Sequence, residues 1–104
     1  MENKQLQEMQ FLEQNLQNLL LQKQAFQMEL SETQSASKEI EKAGDEVFKI
    51  IGQLMIKSDK SKMKQELADK EKIINLRINS IEKQEKNFVE QLESLRDKIT
   101  NTSK

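Results

Sequence analysis

The chain has 104 residues, a net charge of −1, 34% charged and 35% hydrophobic residues, two glycines and no proline. It has no histidine and no cysteine, which removes the common zinc sites, Ser-His and Cys-His nucleophile systems, and disulfide staples. Phenylalanine is its only aromatic residue type, so it lacks the Tyr and Trp that stack nucleic-acid bases, and its apolar surface has to be buried along helix seams.

From Lys4 to about Lys42 no helix breaker occurs, and apolar residues recur at alternating steps of three and four: Met9, Leu12, Leu16, Leu19, Phe26, Leu30 and Ile40. Lys23, Thr33 and Ser37 occupy the missing steps. This is a heptad with a positions at 9, 16, 23, 30 and 37 and d positions at 12, 19, 26, 33 and 40. The pattern predicts a helix over about 4–43. Gly44-Asp45 supplies the stop signal, because glycine readily takes the left-handed conformation that closes a helix.

The next segment differs in kind. Val47-Phe48-Lys49-Ile50-Ile51 and Leu54-Met55-Ile56-Lys57 are rich in β-branched residues, with Gly52-Gln53 between them. Glycine at the first central position suits a type II′ two-residue turn, which predicts a hairpin over about 46–57. That turn pairs Ile51 with Leu54, Ile50 with Met55 and Lys49 with Ile56. One face then carries Val47, Ile51, Leu54 and Ile56, and the other Phe48, Ile50 and Met55. A lone two-stranded hairpin is marginal in water, and one with two apolar faces and two free edges invites association. The chain has no further strand to offer, so other subunits are expected to complete the hairpin by sheet extension or barrel formation.

Ser58 or Asp59 is the expected N-cap of a second helix over about 60–101. Its d positions are Leu67, Ile74, Ile81, Phe88 and Leu95, and its a positions Glu71, Ile78, Glu85, Leu92 and Ile99. Each helix is about 60 Å long at about 1.5 Å per residue. Equal helices joined by a short connector favour an antiparallel hairpin. The fold class is therefore mostly α: an antiparallel two-helix coiled coil with one β-hairpin at the bend, forming a single domain over residues 1–104. Pairing residues whose numbers sum to 104 sets a against d throughout, as in Met9 with Leu95, Leu16 with Phe88 and Leu30 with Ile74. It also sets Thr33 opposite Glu71, and it leaves Lys23 and Glu85 in adjacent layers where they can pair.

Two isolated glycines make neither a P-loop nor a dinucleotide-binding turn. The carboxylates sit beside lysines at helical spacing, which reads as solvated helix faces and not as catalytic pairs. The cluster Lys57, Lys60, Lys62 and Lys64 is diluted by Asp59 and Glu66 and reads as a soluble turn. No enzyme activity, cofactor or metal is expected, nor any nucleic-acid or membrane partner. The N-terminal residues lack an apolar signal core, so a cytoplasmic location is expected. At the chain ends, Leu6 and Phe11 fall outside the seam beside Met9, Leu12, Leu92, Leu95 and Ile99. Such a tip either closes the coil or offers apolar surface to another protein.

Val47-Phe48-Lys49-Ile50-Ile51-Gly52-Gln53-Leu54-Met55-Ile56-Lys57, followed by Arg77-Ile78-Asn79-Ser80-Ile81-Glu82-Lys83-Gln84-Glu85, resembles the β class of the prefoldin family, and the archaeal type above all. The resemblance covers essentially the whole chain and its helix–hairpin–helix order. It implies a hexamer of two α and four β subunits whose hairpins join into a double β-barrel platform. It implies ATP-independent capture of unfolded proteins at the coiled-coil tips and delivery to a group II chaperonin. Carried onto this chain, Val47, Phe48, Ile50, Ile51, Gly52, Leu54, Met55 and Ile56 serve assembly. Leu6, Met9, Phe11, Leu12, Leu92, Leu95 and Ile99 contact clients. The alternative is a structural coiled-coil adaptor that tethers partners, which accounts for the heptads but not for the two-faced hairpin.

Overall fold

The computed structural model describes residues 3–102. Their order is α1 (Asn3–Lys42), β1 (Glu46–Ile51), β2 (Leu54–Asp59) and α2 (Lys60–Thr102), that is, two long helices with a two-stranded antiparallel hairpin between them. The heptad spacing explains both helices. Every a and d position assigned above is buried or half-buried, including the polar ones.

Contacts divide the chain into two units, one made of residues up to Ala25 with those from Ile78 onward, the other of Phe26–Arg77. In the first, Leu12, Leu92 and Leu95 form a buried cluster against which Met9, Leu16, Phe88 and Ile99 pack. The start of α1 thus lies against the end of α2, as an antiparallel pair requires. The seam here also holds a charge pair. Lys23 Nζ lies 2.7 Å from Glu85 Oε1, with both side chains about four-fifths covered.

In the second unit Ile74 is the most covered side chain, only 1% exposed. Thr33 is also buried at a d position, and its hydroxyl donates to the Glu29 carbonyl one turn back at 2.8 Å. That bond satisfies the hydroxyl inside its own helix. Glu71 instead accepts from the Gln34 side-chain amide at 3.3 Å. Glu71 thus lies beside the Thr33 layer, held by the neighbouring Gln34. The Arg77 guanidinium lies over the Phe26 ring at 5.6 Å, a cation–π contact that covers the edge of the seam.

The helix ends are capped in two ways. At the start of α2, the backbone N–H of Lys62 donates to Asp59 Oδ1 at 2.7 Å, which makes Asp59 the N-cap. At the end of α1, Gly44 does not adopt a left-handed backbone, since Gly52 is the only residue with positive φ among those described. The Lys60 ammonium donates to the carbonyls of Glu41 at 3.1 Å and Ala43 at 3.2 Å. A cation from across the hairpin base thus replaces the expected glycine cap, and it suits the negative end of the helix dipole. The Lys60 N–H also donates to the Asp45 carbonyl at 3.2 Å, just beyond the last strand pair.

Candidate functional site

The hairpin register pairs Glu46 with Asp59, Val47 with Ser58, Phe48 with Lys57, Lys49 with Ile56, Ile50 with Met55 and Ile51 with Leu54. Gly52 has a φ of 59°, whereas Gln53 is not in the positive region. A type I′ turn needs positive φ at both central residues, so this is a type II′ turn. β2 runs on to Asp59, so strand leads into helix with no intervening loop.

The two hairpin faces are unequal. Val47 is buried, and Lys49 on the same face is tied to Glu66 of α2 at 2.9 Å, so this face is partly closed at its base. Ile51, Leu54 and Ile56 on that face remain exposed. On the opposite face Phe48, Ile50 and Met55 are all exposed, Ile50 to 70% and Met55 to 67%. Covering a side chain of this size is worth about 1.5–3 kcal/mol. Six such side chains on a two-stranded sheet are a strong driving force for association, and the unpaired strand edges add hydrogen-bonding groups.

The sequence-predicted tip residues fall into two groups. Leu12, Leu92 and Leu95 are buried in the seam, and Met9 and Ile99 are half-buried against them. Leu6 and Phe11 are exposed, Phe11 to 66%. Phe11 lines an open furrow with Glu8, Leu12, Phe88 and Gln91. A second hollow shares Glu8, Leu12 and Gln91 and continues past Asn87, Glu90, Ser94, Leu95 and Lys98.

Exposed apolar side chains off the seam extend further than the tip and the hairpin. Leu20, Leu21 and Val89 are exposed in the first unit, and Met28, Ile73 and Leu76 in the second. Their signal is present in the sequence, since all six stand outside the a and d positions of their heptads. The lysine cluster near the hairpin is largely absorbed by structure. Lys57 pairs with Glu46 at 2.8 Å, Lys64 with Glu41 at 2.6 Å, and Lys60 caps α1. Lys64 holds the Glu41 carboxyl below its ordinary range. Among the described residues no group of acidic, His or Cys side chains is placed to hold a metal, and no helix is long and apolar enough to cross a membrane.

Comparison with known proteins decides the family. The model of the prefoldin subunit family matches residues 3–103. The chain belongs to the prefoldin family, in its β class. It is 42% identical over 89 residues to a prefoldin subunit beta of Thermococcus onnurineus, covering 84% of this chain and 77% of that one. With the prefoldin subunit beta of Sulfurisphaera tokodaii it shares 37% over 97 residues, 91% of this chain and 78% of the other. The crystal structure of the prefoldin beta subunit from Thermococcus strain KS-1 matches with a TM-score of 0.90 at 35% identity, over 96% of this chain and 90% of that one. Prefoldin subunits are chaperone subunits, not enzymes, and prefoldin β subunits form oligomeric complexes. For this prefoldin subunit, the open hairpin and the exposed residues at the helix ends are thus candidate surfaces for assembly and for clients.

Proposed function

We propose that this prefoldin subunit is a β component of a cytoplasmic heterohexamer with two α and four β subunits. The complex captures unfolded proteins without ATP and passes them to a group II chaperonin. The hairpin serves assembly through Val47, Phe48, Ile50, Ile51, Gly52, Leu54, Met55 and Ile56, joining the sheets of neighbouring subunits into a barrel platform. The start of α1 and the end of α2 serve capture, through Leu6 and Phe11 directly and through Met9, Leu12, Leu92, Leu95 and Ile99 as their support.

The observation that carries the capture reading is the exposure of Phe11 and Leu6 beside a seam already closed by Leu12, Leu92 and Leu95. These two side chains contribute little to the seam, so their apolar surface is available to another protein. Several such weak contacts from separate subunits add by multivalency, which gives avidity with fast release at each tip. That combination suits a handover.

The test is suppression of client aggregation by the assembled complex in the absence of nucleotide. A Leu6→Ser/Phe11→Ser complex is expected to protect poorly while keeping its size on light scattering. Equal protection by variant and parent would overturn the capture reading. A chain that forms only a parallel dimer when mixed with an α partner would favour the adaptor reading instead.

A further inference from the structure

The furrow beside Phe11 joins apolar and anionic chemistry. Phe11, Leu12 and Phe88 give it an apolar wall, and Glu8 lines the same hollow. Its continuation brings Glu90 alongside Leu12 and Leu95. Neither Glu8 nor Glu90 makes an ion pair with another described residue, as is also true of Glu13, Glu32, Glu71, Glu82 and Glu93, but of these seven only Glu8 and Glu90 line the hollows beside Phe11. Gln91, between the two hollows, donates its amide to Asn87 at 3.3 Å. Lys98 is the one cation in the lining of the continuation, against the two carboxylates. Glu8 and Glu90, with no ion pair to a described residue, thus line two adjoining hollows in one compact unit, apolar at Phe11, Leu12 and Phe88 and more polar past Ser94 and Lys98.

We propose that this furrow selects client segments in which an apolar side chain is flanked by lysine or arginine. The apolar side chain lies against Phe11 and Phe88, and the flanking cation meets Glu8 or Glu90. The occupant is an extended peptide, because the hollows measure about 360 and 320 Å³ and lie open to solvent. That is the low end of ligand-pocket volumes, enough for one or two side chains at a time. Charge complementarity decides the class. The lining carries two carboxylates against one ammonium, so an acidic segment meets an excess of like charge, whereas a basic one meets opposite charge. This inference rests on the capture reading above and adds a selectivity to it.

The experiment uses the assembled complex and two fluorescent peptides that share one Leu/Phe core, flanked by lysines in one and glutamates in the other. Binding is read by anisotropy at low and at high salt. Exposed ion pairs are individually weak, so the parent complex is expected to prefer the lysine-flanked peptide by roughly three- to tenfold. The preference should shrink as salt shortens the screening length. Glu8→Gln/Glu90→Gln should abolish the preference and leave binding of the shared core. Glu13→Gln/Glu93→Gln makes the same charge change elsewhere in that unit and should keep the preference. Core binding without any preference, or a preference lost equally in both double variants, overturns the selectivity alone. Failure of the parent complex to bind either peptide overturns the capture reading with it.

Discussion

Lys23 and Glu85, 62 residues apart in the chain, meet across the seam at 2.7 Å with their side chains about four-fifths covered. Both stand at a positions, where an apolar residue would be more stabilising but less selective. A slip of one heptad that pairs residues summing to 97 would part the two charges by about three layers and leave each among apolar residues, so the pair penalises that slip. The hydrogen bond to Glu85 raises the Lys23 pKa above its usual 10.5. A raised lysine contributes stability that is complete below pH 10.5 and is lost as pH rises through the folded-state value. Thermal melts from pH 9 upward should show an alkaline fall that Lys23→Met flattens. An unchanged alkaline limb in that variant would show that the pair contributes no linkage.

The proposed assembly rests on hairpin side chains that the isolated chain leaves exposed. Phe48→Ser/Ile50→Ser/Met55→Ser changes exposed positions only, and surface changes of this kind usually stay within about 0.5 kcal/mol each. Circular dichroism of the isolated variant should match the parent. Light scattering of the variant mixed with an α partner should show loss of the hexamer. Intact hexamer would remove this face from the interface.

Gly52 separates backbone strain from crowding. Its φ is +59°, and a Cβ at that position would meet nothing within 4 Å. Gly52→Val therefore tests conformation alone, at a cost of about 1–3 kcal/mol. Gly52→Asn, which tolerates positive φ better, should cost less. Chemical denaturation of the three proteins gives the order Gly, Asn, Val. A Val variant as stable as the parent would mean that the turn has changed type.

Asp59 ends one element and starts the next. Removing its oxygen in Asp59→Ala should cost about 0.5–2 kcal/mol, as for other N-caps. Asp59→Asn keeps an acceptor for the Lys62 N–H and should retain most of that stability. Urea denaturation separates the variants, and equal loss in both would assign the effect to charge instead of capping.

Ile74 and Leu76 lie two positions apart on α2 yet differ completely in cover. Ile74 is 1% exposed and Leu76 67%. Ile74→Ala should cost about 2–5 kcal/mol and Leu76→Ala almost nothing. A large loss at Leu76 in the assembled complex alone would reveal that a partner covers it.

Much of this was legible from spacing. Periods of three and four placed Leu12, Leu19, Ile74 and Leu92 on the seam, and Gly52-Gln53 specified the II′ turn because few residues accept positive φ. The strand pairs from Lys49–Ile56 to Ile51–Leu54 followed from that turn. The end of α1 was less legible. Gly44 advertised a left-handed cap, but a lysine from the far side of the hairpin supplied it, and no local rule encodes a cap donated from seventeen residues away. The hydrogen bonds of the Thr33–Glu71 layer were less legible for a related reason. A heptad assigns positions to layers, whereas the choice between a backbone carbonyl and a facing carboxylate is made by side-chain geometry.

The chain ends show the same division. Heptad phase alone marked Leu6 and Phe11 as lying outside the seam, because phase depends only on spacing along one helix. The tertiary structure decided that Leu12, Leu92 and Leu95 spend their apolar surface on each other, and that Glu8 and Phe11 share a furrow with Phe88. It also decided which hairpin face is closed at its base, through Val47 and the Lys49–Glu66 pair. Local periodicity determines which side chains point toward a partner helix. Only the packing of distant segments determines which of them are already satisfied and which still face water.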